Sequence, residues 1–174
     1  MSEINQIIKT DRLLLREITD LDLDNIFKGL SNPQVIKHYG ISFDSLEATK
    51  EQMCWFADEK QMWWAICSLD NQTFYGAGGL NDIDENEEKA EIGLWLLPEH
   101  WGKGIMKEAL PLITSFGFEQ LHLDRIEGFV ETDNSNCKKA MSKLDFQLEK
   151  TLMDFEIKNG ASINVDVYAK HNKN

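Results

Sequence analysis

The sequence predicts a mixed α/β fold: a central twisted sheet of about seven strands, flanked by about four helices. Strand-like and helix-like segments alternate along the 174 residues. At residues 91–131 the expected pairing changes from antiparallel hairpins to a parallel strand–helix–strand unit. No linker, internal repeat or low-complexity stretch interrupts the pattern. We therefore expect a single domain over residues 1–174, with parallel strands at its functional centre.

The sequence pattern in the first half of the chain predicts one strand, three helices and a hairpin. Apolar and polar residues alternate at the start of this half, and apolar residues then recur at helical spacing. Asn32–Pro33 breaks the helical stretch, because the residue before a proline avoids helical geometry. The expected elements are a strand at 12–18, a helix capped by Thr19 or Asp20, a short helix after residue 33, a helix at 44–60, and strands at 62–69 and 73–83.

The second half begins with a predicted strand, Glu91–Leu97. It is apolar on both faces, which is typical of a buried strand. Pro98 ends it, because proline cannot donate to a ladder of hydrogen bonds. A helix then runs from Ile105 to about His122, and Pro111 inside it predicts a kink on the solvent side. The remaining expected elements are a strand at 124–131, a helix capped by one of residues 133–135, and a hairpin of strands 146–157 and 162–169.

Composition excludes several functional classes. The net charge of −12 disfavours nucleic acid and anionic membranes as partners, since both attract cationic surfaces. No apolar run approaches the ~18 residues of a membrane span, and the start of the chain has no apolar secretory segment. Cys54, Cys67 and Cys137 form no ligand-spaced pair, so we expect free thiols, a cytoplasmic protein and no metal site.

Two glycines, Gly102 and Gly104, stand between the strand at 91–97 and the following helix. This arrangement aims free backbone N–H groups at an anion, and Lys103 and Lys107 add positive charge. The same pattern also occurs before helices that bind nothing. The sequence contains neither the nucleotide P-loop motif nor the dinucleotide-binding motif here.

Three blocks resemble the GNAT N-acetyltransferases. The segment WGKGIM resembles their pyrophosphate motif, Gln/Arg-x-x-Gly-x-Gly/Ala, with Trp101 and Met106 at the two departing positions. Residues 10–40 are similar to the N-terminal third of the RimJ/RimL-like branch. Residues 131–146 are similar to the family's Asn-x-x-Ser followed by Lys-Leu-Gly-Phe, with Cys137 replacing Ser and Asp145 replacing Gly.

The resemblance implies transfer of an acetyl group from acetyl-CoA to a primary amine in a ternary complex, with the cofactor between two splayed parallel strands. The branch implies the N-terminal amine of a ribosomal protein, and other relatives use small-molecule amines. Homodimers are common in the family, so a homodimer is expected. The implied cofactor-binding residues are Leu96, Leu97, Trp101, Gly102, Lys103, Gly104, Ile105, Met106 and Asn134.

Cys137 and Glu91 are the expected catalytic residues. Release of a thiolate requires a proton, and a cysteine thiol with a pKa of ~8.5 can supply it. Cys137 also has the spacing of a small core residue, and a nucleophilic cysteine that carries the acetyl group is a third option. Glu91 matches a position at which relatives often carry an acid near the thioester, and its simpler interpretation is a surface carboxylate.

The remaining site residues have alternative interpretations as well. The resemblance places His38 and Tyr39 in the loop that lines the acceptor site. Asn134 is expected to contact the pantetheine arm and can cap a helix at the same time. The altered motif positions also leave open a protein of another class, a non-catalytic sensor domain that binds CoA with the same fold.

Overall fold

The computed structural model describes residues 6–173, which form an eight-stranded mixed sheet with helices on both faces. The predicted fold class is therefore confirmed. Part of the N-terminal stretch in which no secretory signal is expected lies outside the described residues. The strands, in chain order, are β1 (Ile8–Lys9), β2 (Leu13–Glu17), β3 (Met62–Ser68), β4 (Phe74–Asp84), β5 (Lys89–Leu96), β6 (Arg125–Glu131), β7 (Gln147–Lys158) and β8 (Ala161–His171).

Five α-helices connect these strands, and two short 3-10 turns lie at Asp20–Asp22 and Pro98–His100. Within residues 6–173, no helix is long and apolar enough to cross a membrane. The helices are α1 (Leu23–Leu30), α2 (Pro33–Ile36), α3 (Leu46–Phe56), α4 (Ile105–Glu119) and α5 (Ser135–Lys143).

The sheet separates two apolar cores. Neighbouring residues of β3 illustrate the division, because successive side chains of a strand point to opposite faces. Trp64 packs with the buried residues of α4, whereas Trp63 packs with Ile26 and Leu30 of α1. The first core also includes Met141 of α5. Helices α1 to α3 therefore cover one face, and α4 and α5 cover the other.

The order of the strands in the sheet is β1-β2-β3-β4-β5-β6-β8-β7. Strand β1 adds a short edge that the sequence analysis missed, and β8 lies between β6 and β7. Helix α4 ends at Glu119, earlier than predicted. It continues through Pro111, whose side chain is exposed as expected, so the missing N–H lies on the solvent side.

Strands β5 and β6 pair in parallel over three positions only: Lys89 with Arg125, Ala90 with Ile126, and Glu91 with Glu127. Beyond this point both strands continue without pairing to each other, β5 to Leu96 and β6 to Glu131. The two strands thus leave a gap in the sheet, and Glu91 lies at its closed end. This is the splayed parallel pair that the sequence resemblance implies.

Candidate active site

The glycine turn before α4 has the backbone geometry of an anion site. Gly102 and Gly104 have φ values of 74° and 75°, in the left-handed region that favours glycine. Glu108 is the first residue of α4 whose amide donates to a carbonyl of this turn, that of Gly104, at 3.1 Å. In the part of the chain that the structure describes, the amides of residues 102–106 donate to no backbone oxygen of the turn. These N–H groups can therefore bind a diphosphate.

Arg12, immediately before β2, fixes the conformation of this turn. Its Nη1 donates to the carbonyl oxygen of Lys103 at 2.8 Å, and its Nε donates to Glu108 Oε2 at 2.5 Å. A Cβ placed on Gly104 would lie 3.2 Å from Arg12 Nη2. Arg12 was not among the predicted site residues, because no local sequence pattern relates it to a turn that lies about 90 residues further along the chain.

Trp101 closes the end of β5. Its indole Nε1 donates to the carbonyl oxygen of Leu96 at 2.9 Å. The amide of Leu97 donates to the carbonyl of Tyr75 at 2.8 Å, so Leu97 faces β4. Because backbone groups alternate along a strand, Leu94 and Leu96 face the gap instead. Leu94 is thus a candidate for binding an extended amide-containing ligand, and the sequence analysis did not identify it.

Ile105 and Met106 contribute to the site through their backbone. The Ile105 side chain is buried in the core that α4 covers, and Met106 packs against the same core. The backbone amides of these two residues can donate to a ligand at the start of α4. Lys103 is exposed beside them, and its positive charge faces solvent at the same end of the gap.

Glu91 is a carboxylate whose protonation changes near neutral pH. Burial, together with the nearby negative charges of Asp82 and Glu127, raises the pKa of Glu91 to about 7. Glu127 stands directly opposite Glu91 on β6, so two like charges share the closed end of the gap. A group with this pKa can accept a proton at physiological pH.

Asn134 and Cys137 lie at the start of α5, on the β6 side. The side chain of Asn134 caps the helix, because its Oδ1 accepts a hydrogen bond from the Cys137 amide at 3.3 Å. Burial raises the pKa of the Cys137 thiol to about 11. The thiol is therefore neutral at pH 7, and it also packs against the α4 core.

His38 and Tyr39 come from the segment after α2 and reach the same region. Burial, together with the charges of Glu91 and Cys137, raises the pKa of the Tyr39 hydroxyl far above its usual value. That hydroxyl lies 3.4 Å from the Cβ that a side chain at Gly93 would carry, so a larger residue there would crowd it. His38 instead contacts Glu131 at the end of β6 and Asp133.

These residues place different chemical groups at the two ends of one gap. Unpaired amides lie beyond Leu96, and a carboxylate with a pKa of about 7 lies at Glu91. Leu96 lies five residue steps along the extended strand from Glu91, which corresponds to about 17 Å. The arrangement can hold an extended molecule by an anionic end and expose its other end to a base.

Comparisons with known proteins agree with this description. The family model described as acetyltransferase (GNAT) domain matches residues 12–147. The uncharacterized N-acetyltransferase YoaA of Bacillus subtilis is 34% identical over 168 residues, 94% of this chain and 95% of that protein. The ribosomal-protein-serine acetyltransferase of Escherichia coli is 30% identical over 95 residues, 55% of this chain and 53% of that protein.

A solved structure shares the fold. The spermidine N-acetyltransferase from Vibrio cholerae, in complex with CoA and spermine, matches with a TM-score of 0.86. The match covers 93% of this chain and 96% of that chain, at 20% sequence identity.

Proposed function

The chain belongs to the GNAT acetyltransferase family, and we propose that it transfers acetyl from acetyl-CoA directly to a cationic primary amine, with Glu91 as general base. That the protein is an N-acetyltransferase follows from its family and its full-length relatives. The observation that carries the mechanistic proposal is the pKa of about 7 at Glu91, a carboxylate at the closed end of the gap between β5 and β6.

An amine must lose a proton to attack a thioester, because the ammonium form has no lone pair. Glu91 is desolvated and faces the acidic Asp82 and Glu127, so it binds a proton more readily than an exposed carboxylate. The free amine attacks the carbonyl carbon, and Glu91 accepts the proton that the nitrogen releases. Such positioned bases contribute about 10²–10⁴-fold to rates.

For acetyl-CoA, the residues present fit the parts of the molecule. The amides of residues 102–106 provide donors for the diphosphate, and Lys103 adds positive charge. The backbone of Leu94 and Leu96 and the free amide nitrogen of Asn134 provide partners for the pantetheine amides. Acetyl-CoA supplies the activated acetyl group, and the chain binds and orients it.

We assign Cys137 as the group that protonates the departing thiolate. Its burial keeps it neutral at pH 7, as a proton donor must be. Because the pKa of Cys137 is about 11 and that of an ordinary thiol is ~8.5, proton transfer from Cys137 to an ordinary thiolate is unfavourable. The same low-dielectric surroundings raise the proton affinity of the leaving thiolate, which narrows that difference. Transfer of acetyl to Cys137 itself is not part of this proposal.

The acceptor side is acidic. Glu91, Glu127 and Glu131 point to the sheet face covered by His38 and Tyr39, since they occupy alternate positions on β5 and β6. These carboxylates favour an amine that carries additional positive charge, such as a polyamine. A ribosomal-protein N-terminus, the substrate class of the RimJ/RimL-like branch, is the second candidate, which the partial match to the ribosomal-protein-serine acetyltransferase favours.

A thiol-release assay tests the proposal. Acetyl-CoA is supplied with spermidine, with peptides that begin with serine or alanine, and with a neutral small amine. We expect turnover with spermidine, and a kcat/KM that rises with pH through an apparent pKa near 7. Thiol release with the peptides but not with spermidine would identify a protein N-terminus, rather than a polyamine, as the substrate. CoA binding in a thermal-shift assay without release for any amine would instead indicate a sensor.

A further inference from the structure

A cluster of three side chains, His38, Glu131 and Asp133, lies at the edge of the acceptor face, and none of the three takes part in the proton transfers described above. Single nitrogen or oxygen atoms from the three residues all lie within 4.8 Å of one another. His38 belongs to the segment after α2, whereas the two acids belong to the end of β6 and the turn that follows. We refer to these residues as the His38 cluster.

Glu131 is the least expected member of the His38 cluster. Its side chain is only 7% exposed, yet its Oε2 makes no hydrogen bond within residues 6–173. The Nδ1 atom of His38, which points at Glu131, is likewise buried without a hydrogen-bond partner in the described residues. A buried carboxylate oxygen and a buried imidazole nitrogen without partners destabilise the fold, so a ligand that binds both atoms is favoured.

The two distances that end at His38 Nδ1 distinguish between possible ligands, whereas the two carboxylate atoms are within 4.8 Å of each other. His38 Nδ1 lies 3.6 Å from Glu131 Oε2 and 3.5 Å from Asp133 Oδ1, too far for hydrogen bonds. Ligand bonds of about 2.0–2.2 Å in a tetrahedral zinc site place neighbouring donor atoms roughly 3.3–3.6 Å apart. An ammonium ion with hydrogen bonds of about 2.7–2.9 Å would hold its acceptors roughly 4.4–4.7 Å apart.

We propose that His38 Nδ1, Glu131 Oε2 and Asp133 Oδ1 bind a divalent transition-metal ion of the zinc class. One imidazole and two carboxylates suit Zn²⁺, and three protein ligands leave a fourth position for water. Asp133 is 73% exposed and provides the path of entry. Cysteine spacing gave no indication of this site, because its ligands are a histidine and two acids from distant parts of the chain.

Lys158 of β7 limits the charge of the site. Its Nζ lies 3.6 Å from Glu131 Oε1, the oxygen opposite to the proposed ligand atom. It also donates to the carbonyls of Lys37 at 2.8 Å and of Tyr39 at 2.9 Å, so it is held on that side. With His38 neutral, the group carries a net charge of −1. We therefore expect weaker affinity than for a site without a neighbouring lysine.

Metal binding joins the segment of His38 to the end of β6. Tyr39, the next residue, places its hydroxyl against β5, 3.4 Å from the position that a Cβ on Gly93 would occupy. The bound ion therefore holds one wall of the acceptor site in place. This role is positional, because no ligand of the proposed site touches the transferred acetyl group.

The test uses chelator-treated, desalted full-length protein titrated with Zn²⁺ in a calorimeter, with a parallel Co²⁺ titration followed by visible absorption. We expect one ion per chain, a higher melting temperature and the strong absorption bands of tetrahedral Co²⁺. His38→Ala, Glu131→Gln and Asp133→Asn should each lose the bound ion. Asp133 is exposed, so its variant tests the site even where Glu131→Gln fails to fold.

His171→Ala is the matched control, because His171 Nε2 also lies 3.6 Å from a carboxylate, Glu149, on the surface. It should retain one ion per chain. Equal loss in this control, unchanged binding in Asp133→Asn, or no Zn²⁺ binding by the parent chain would each overturn the proposal. A thermal shift produced by spermidine and not by Zn²⁺, and abolished in Asp133→Asn, would also overturn it and assign an amine subsite.

Discussion

Replacement of Glu91 by glutamine should make the protein more stable at alkaline pH and nearly inactive. The carboxylate has a pKa of about 7 in the folded chain, against an ordinary value of 4.5. A pKa raised by folding means that stability is fully present below the ordinary value and is lost as pH rises through 7. Glutamine cannot ionise, so the variant avoids this loss while it retains the shape of the side chain.

The size of the effect follows from the two pKa values. Their difference, 7 minus 4.5, is 2.5, which corresponds to about 3 kcal/mol once Glu91 is fully ionised. At pH 5 less than about 1 kcal/mol of this cost has developed, because pH 5 lies only half a unit above the ordinary pKa and the cost grows with pH until it passes the folded value. We therefore expect Glu91→Gln to gain about 2 kcal/mol over the parent between pH 5 and pH 8.5, roughly 5 °C in Tm.

Denaturant unfolding of both proteins at the two pH values measures this gain. The control is Glu85→Gln at the exposed tip of the β4–β5 hairpin, where the same substitution removes a carboxylate that folding does not bury. The same Glu91→Gln preparation should lose about 10²–10⁴-fold in kcat/KM. A pH-independent stability difference would refute the desolvated state of Glu91, and unchanged kcat/KM would refute its role as base.

The remaining predictions concern the cofactor turn and the proton donor. Gly104→Ala should weaken CoA binding about 5–30-fold, since φ of 75° costs a side chain about 1–2 kcal/mol; Gly160→Ala, with φ of 78° in the β7–β8 turn, should leave binding unchanged. Arg12→Met should raise KM for acetyl-CoA roughly fivefold, about 1 kcal/mol, because the turn loses its contact at the Lys103 carbonyl; an unchanged KM contradicts this role. Cys137→Ala and Cys137→Ser should each lower kcat about 10²-fold with little change in KM; full turnover in both excludes Cys137 as donor. Intact mass should show no acetyl group on Cys137.

Local sequence patterns were sufficient to predict most of the fold. The alternation of β3, the buried character of β5 and the glycines before α4 each depend on residues close together in the chain. The positions of the helix ends and of β1 were harder to predict from the sequence. Strand β1 has two residues, and its pairing with β2 depends on tertiary contact rather than on a period.

The site was only partly accessible from the sequence. The glycine turn has a local signature, so a cofactor-binding end could be predicted there from the sequence. The contact of Arg12 with Lys103, the direction of the Leu94 backbone and the approach of His38 to Glu131 arise from the fold. Burial decides the pKa of Glu91 and of Cys137, and no composition or spacing reveals which oxygen or sulfur is excluded from water.

A crystal structure with acetyl-CoA is the most direct measurement of where the cofactor lies. The diphosphate should contact the amides of residues 102–106, and the thioester should lie between β5 and β6, on the side of Glu91. A cofactor bound outside this gap, or one whose thioester lies away from Glu91, would contradict the mechanism.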